Sequence, residues 1–183
     1  MIRKDTSLIR NKAPYGFTLV EVLVVLSITA IILGAATPSF MNIVANNRVA
    51  SASSELVIAL NLAKSEAVRS GMTTVLCTSQ TGNQCNDAAS WSDGLVLFQD
   101  NDNNGSVSNN ERVIKVIPAS DNNLEFAYGT ANINNINFSP NGQINLNGRF
   151  CFKNSYEEEN SRAVVITQVG RIRTEKITYN NDC

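Results

Sequence analysis

Histidine is absent from the 183 residues. Without an imidazole, neither a Ser-His-Asp nor a Cys-His constellation can be assembled. Cysteine is sparse: Cys77, Cys85, Cys151 and Cys183 are the only four, and no two have CxxC spacing. A thiolate–imidazole metal site of the zinc type is therefore not written here. No glycine-rich nucleotide loop occurs either, and the net charge of −1 names no partner by itself. These absences point away from an enzyme and toward binding or assembly. What remains is distributed unevenly along the chain.

Residues 1–16 carry Arg3, Lys4, Arg10 and Lys12 against Asp5, a net of +3, which leaves −4 for the rest. A basic front followed by an apolar run is a targeting arrangement, so residues 1–16 are set apart from the fold as a leader. Residues 17–36 read FTLVEVLVVLSITAIILGAA. This run has the length of about 20 residues that a membrane-spanning helix needs. Its one charge, Glu21, costs about 2.5–3.5 kcal/mol near the middle of such a helix, so it calls for a function and a partner. Cleavage after Gly16 would create an amine at Phe17, one helical turn away. Two other readings use the same residues. One is a plain membrane anchor; the other is a secretory signal cut after Ala36, with Gly34 and Ala36 suitably small. Both leave Glu21 unexplained.

The segment YGFTLVEVLVVLSI resembles the prepilin signature: a leader ending in Gly16, then Phe17, Thr18, Leu19 and Glu21. The resemblance implies cleavage after Gly16 by a prepilin peptidase and methylation of Phe17. It also implies that Glu21 aids docking into a filament of other pilin subunits. The expected organisation is a leader (1–16), a membrane and assembly half of one long helix (17–38), an amphipathic half (39–71) and a β-rich domain (72–183). Gly34 and Pro38 can bend or open the helix. Val49, Ser53, Leu56, Leu60, Ala63 and Ala67 share one helical face, and Gly71 suits a C-terminal stop.

Beyond Gly71 the period becomes strand-like. TTVLCT, GLVLF, RVIKVI, LEFAY, NINFS, QINL, RFCFK, RAVVITQ and RIRTEKIT are separated by Asn, Gly, Asp and Ser clusters. This predicts an α+β fold, with a long N-terminal helix packed on an antiparallel, sandwich-like β domain; the resemblance to prepilins implies that it is type IV pilin-like. All four cysteines follow the apolar run, which fits an oxidising compartment and two disulfides. Of the three connectivities, Cys77–Cys85 with Cys151–Cys183 keeps each pair local in sequence; free buried thiols are the other outcome.

The stretch LVIALNLAKSEAVRSGMTTVLCTS, with the later Cys, Trp and GLVLFQDNDNNG, resembles the GspH/FimT branch of minor pilins. That likeness covers residues 13–117 and weakens beyond Tyr128. It implies an inner-membrane precursor with a periplasmic domain that passes into an extracellular pilus. Residues 100–111, DNDNNGSVSNNE, also fit a calcium-loop pattern. Asp100, Asp102, Asn104, Ser106, Ser108 and Glu111 would supply oxygens around a turn at Gly105. Strands rather than helices flank this loop, and the alternative is a solvated Asn/Asp/Gly hairpin with no cofactor.

The C-terminal TQVGRIRTEK places Arg171 and Arg173 on one face of a strand, with Ile172 turned to the core. In FimT-type minor pilins of transformable bacteria a G-R-x-R motif is associated with DNA binding. Gly170, Arg171 and Arg173 match it here. Lys176, Arg162, Arg149 and Lys153 are candidate further contacts. Such binding would be weak, salt-sensitive and sequence-independent. The competing reading is a solvated strand face with an ion pair to Glu175, on a subunit that only primes a pilus or a type II secretion filament.

Overall fold

The computed structural model describes residues 16–87, 89–108, 110–120, 125–129, 133–154 and 160–179; within these, 35–39 and 125–129 are followed along the backbone only. The chain divides into two compact units, up to Ser39 and from Phe40.

In the first unit, helix α1 (Leu19–Ser70) starts behind Thr18, whose Oγ1 accepts the Glu21 backbone N–H at 3.2 Å. That is an N-cap bond, satisfying one of the helix's open donors. Glu21 thus lies in the first turn rather than mid-helix. There its charge meets the positive end of the helix dipole, which lowers the cost expected from the sequence. Ser27 and Thr29 donate their hydroxyls to the Leu23 and Val25 carbonyls, each at 2.7 Å, so neither leaves a bare polar group among aliphatic neighbours. Among the described residues no helix is long and apolar enough to cross a membrane. The side-chain description of the expected 17–38 span ends at Gly34, short of the roughly 20 residues needed. The helix does not open at Gly34 or Pro38. Pro38 removes one i→i−4 bond, and the bonds around it carry the element.

In the second unit the predicted stripe of α1 is buried at all six positions: Val49, Ser53, Leu56, Leu60, Ala63 and Ala67. Gly71 takes φ +70° and its N–H donates to the Ala67 carbonyl at 3.0 Å, closing the helix by the left-handed route that glycine permits. Among the described residues eight strands follow: β1 (Thr73–Thr78), β2 (Leu95–Asp100), β3 (Val113–Ile117), β4 (Glu125–Gly129), β5 (Asn135–Phe138), β6 (Gly148–Lys153), β7 (Ser161–Ile166) and β8 (Ile172–Ile177). They form two four-stranded sheets, ordered β3-β2-β1-β5 and β4-β6-β7-β8. Every pairing is antiparallel. The predicted QINL strand is not one. Ile144 makes an isolated bridge to Phe138, and its N–H goes to the Gln168 carbonyl at 2.9 Å instead of to a ladder.

One core joins α1 to both sheets through Leu76, Leu97, Phe138, Phe150, Val164 and Ile166. The other face of β1 and β2 is covered as well. Val75, Cys77, Val96 and Phe98 form a second cluster, packed by Cys85 and Val107 from two loops. This explains why TTVLCT is buried on both faces. The Cys77–Cys85 disulfide, with Cα atoms 5.6 Å apart, fastens the loop that covers this cluster. Cys151 is also disulfide-bonded; Cys183, its expected partner, lies outside the described residues. Replacing Cys77 and Cys85 together by alanine is expected to cost about 2.5 kcal/mol, from the loop-closure entropy of a short loop. Urea unfolding under oxidising conditions measures it.

Candidate nucleic-acid interface and assembly segment

The assembly candidates stand at the chain's described start. Gly16 and Phe17 are exposed, Phe17 at 81 %, and Glu21 follows in the first turn of α1. Leu19, Val20, Leu23, Leu26 and Ile31 are more than half exposed. So much bare aliphatic surface on a helix marks a segment that meets lipid or other chains.

The basic candidates depend on the turn between β7 and β8. Gly170 is buried with φ +75°. Its N–H donates to the Thr167 carbonyl at 2.7 Å. The chain closes behind it with Thr167 N–H donating to the Arg171 carbonyl at 3.1 Å. The Arg171 N–H donates to Thr167 Oγ1 at 3.2 Å. From α1, Lys64 Nζ donates to the Gly170 carbonyl at 2.8 Å. A Cβ on Gly170 would run into the Gly142 carbonyl oxygen. Glycine is required here for packing, and its part in any site is to set where Arg171 leaves the turn. Lys64 was not singled out from the sequence. A lysine beside the apolar stripe of a helix carries no local sign that it will reach a loop 106 positions away.

Arg171 is exposed and, among the described residues, makes no ion pair. Arg173 lies two residues on, with Ile172 between them packed against the core as expected. Arg173 Nη2 is 3.3 Å from Glu175 Oε2. The remaining cations split between two faces. Register aligns Arg149, Val165 and Arg173 across β6, β7 and β8, so both arginines occupy the outer face of this sheet. Arg162 pairs with Phe152 and Lys176, on the side that carries the core. Lys153 Nζ sits 5.2 Å from the centre of the Tyr179 ring, a cation–π contact. The seven sequence candidates therefore do not make one surface: Arg173 and Arg149 share a side that Arg162 and Lys176 do not, and Arg171 sits in the turn before β8. The run RAVVI hid this, because apolar residues fall on both of its alternating positions.

The described residues of the 100–111 loop, all but Asn109, are held by the loop's own amides. Asp100 accepts Gly105 N–H at 3.0 Å and Asn104 N–H at 3.2 Å; Asp102 accepts Asn104 N–H at 3.1 Å; Asn104 Oδ1 accepts Ser106 N–H at 2.7 Å. Glu111 accepts Asn101 N–H at 2.9 Å and Ser108 N–H at 2.8 Å. Asn103, at φ +57°, and Gly105, at φ +72°, allow the bend. Oxygens of Asp100, Asp102 and Glu111 come within 4.8 Å of one another, a donor set that a hard divalent cation such as calcium could use. Burial raises the Asp100 carboxyl above its ordinary value; the Gly105 amide opposes this and the Glu111 charge adds to it.

A family model described as type II transport protein GspH matches residues 52–170, and one for the prokaryotic N-terminal methylation motif matches residues 11–37. The chain belongs to the GspH family. The crystal structure of the type IV minor pilin FimU of Pseudomonas aeruginosa is similar to this GspH-family chain at a TM-score of 0.56 and 21 % identity, over 70 % of this chain and 89 % of that one. The minor pseudopilin EpsH from the type 2 secretion system of Vibrio cholerae is similar at 0.50 and 12 % identity, over 70 % and 97 %. Among curated proteins no match is found. This GspH-family chain thus has the fold of minor pilins and pseudopilins and the methylation motif of their precursors. The proteins that it resembles in fold are described as a minor pilin and a minor pseudopilin, and none of these descriptions names an enzyme.

Proposed function

We propose that this minor pilin binds DNA through Arg171 and Arg173 and serves its uptake in natural transformation. The observation that carries the reading is an exposed Arg171, without an ion pair among the described residues, on a turn braced by Gly170 and Lys64, next to a sheet face that holds Arg173 and Arg149 together. Phosphate recognition needs cations fixed in place, and it leaves sequence unread. On this reading a prepilin peptidase cuts between Gly16 and Phe17, and Phe17 is methylated. The apolar run holds the precursor in the inner membrane with its domain in the periplasm. Glu21 guides the chain among other pilin subunits into the pilus, and several copies in one filament would add avidity.

The test is DNA binding by the full chain in detergent micelles, using a short duplex. With about three phosphates contacted, the dissociation constant should rise about 40-fold between roughly 50 and 200 mM salt. The Arg171→Gln/Arg173→Gln variant should bind at least about tenfold more weakly, with a shallower salt slope. No binding by the wild type at low salt would leave the second reading. That reading is a structural minor pilin or pseudopilin that primes a pilus or type II secretion filament, and the Arg173–Glu175 pair favours it.

A further inference from the structure

Arg171 in the turn and Arg173 on β8 are not equivalent. Arg171 makes no ion pair among the described residues, whereas Arg173 reaches Glu175 at 3.3 Å. Positions 173 and 175 lie two apart on β8 and so share the outer face, where Glu175 stands opposite Ala163. The pair is partly solvated, with side-chain exposures of 55 % for Arg173 and 31 % for Glu175. A phosphate seeking Arg173 therefore finds its guanidinium engaged and meets a carboxylate beside it.

We propose that Glu175 is a built-in competitor for the DNA backbone: it holds Arg173 in the free protein and must give way when a phosphate binds. This rests on the DNA-binding reading above and names the residue that sets the site's affinity. An exposed pair is weak enough to exchange, and a phosphate can take a guanidinium through two parallel hydrogen bonds, a geometry at least as good as the one it replaces. The consequence is a contact that forms and releases readily, with Arg171 as the first anchor and Arg173 recruited after it. A receptor that must pass its DNA onward needs such release, and a carboxylate two residues away provides it without any change of fold.

The experiment compares wild type, Glu175→Gln, Arg173→Gln and the double variant, each as the full chain in micelles with the same short duplex. Glu175→Gln should bind about two- to fivefold more tightly, with a salt slope steeper by about one. In the Arg173→Gln background the same substitution should give no gain. Glu55→Gln, which removes a carboxylate paired to Lys115 elsewhere on the domain, should change nothing. Equal gains with and without Arg173 would overturn the proposal, because they would reflect overall charge alone. So would an unchanged Glu175→Gln affinity beside a wild type that binds and an Arg171→Gln/Arg173→Gln variant that does not; that result would leave the DNA-binding reading standing. No binding by any variant at low salt would overturn both.

Discussion

Gly170→Ala is expected to cost about 2–5 kcal/mol of stability, more than any substitution of the arginines beside it. Two terms add. A residue with a Cβ is strained at φ +75°, by about 1–2 kcal/mol. The new methyl would also meet the Gly142 carbonyl oxygen and the Lys64 side chain, so that two turns and the helix must move apart. Overpacking of this kind costs about 1–3 kcal/mol, and here the first obstacle is backbone rather than a side chain that can rotate away. Urea unfolding of Gly170→Ala gives the stability, and DNA binding below the transition gives the effect on the site. The expected result is a shifted midpoint together with weaker binding, because the β7–β8 turn can no longer hold Arg171 in place. Arg171→Gln/Arg173→Gln should weaken binding with the midpoint unmoved. Lys64→Met makes a graded companion: it keeps the aliphatic stem and removes one hydrogen bond to Gly170, for about 1 kcal/mol. A Gly170→Ala chain as stable as the wild type would mean that the turns are not in contact.

Phe150→Ala should be the most damaging change in the core, at about 3–5 kcal/mol. Phe150 is fully buried on β6, an inner strand of its sheet. Its ring meets Trp91 edge to face, with centroids 4.7 Å apart and planes at 76°, a geometry favoured by the ring quadrupoles. Trp91 is itself held by its Nε1–H, which donates to the Ile133 carbonyl at 2.7 Å. Truncation would empty a ring-sized space where α1 and both sheets converge, and flanking strands hydrogen-bonded on each side limit how far it can collapse. Trp91 is the only tryptophan, so its emission reports on this site directly. A red shift in the folded state, with the urea midpoint lowered, is the expected outcome. Phe98→Ala removes an equally buried ring from the second cluster, away from Trp91. It should lower stability with little change in emission, and a red shift of equal size would show that the two clusters are not separate.

Much of this architecture was legible in the chain because it is local. The spacing of Val49, Ser53, Leu56, Leu60, Ala63 and Ala67 is a helical period, and all six are buried. Eight of the nine β-rich runs became strands. QINL failed because Ile144 gives its N–H to the Gln168 carbonyl, a partner 24 residues away that no local pattern announces. The Cys77–Cys85 pair follows from short separation. Glu21 was visible as a charge in an apolar run; its place in the first turn depends on where Thr18 caps the helix.

By itself the sequence determined the class of the protein: an apolar helix with one carboxylate behind a basic stretch, a β-rich domain, and no histidine for nucleophilic catalysis. Each of these is a matter of composition or period, and period is set by backbone geometry that every chain shares. Only the tertiary structure decided which cations keep company. Register across β6, β7 and β8 put Arg149 with Arg173 and turned Arg162 and Lys176 to the other side; a shift of one residue would have reversed that choice. The fold also brought Lys64 and Gly142 against Gly170, contacts between residues distant in sequence that only packing can make.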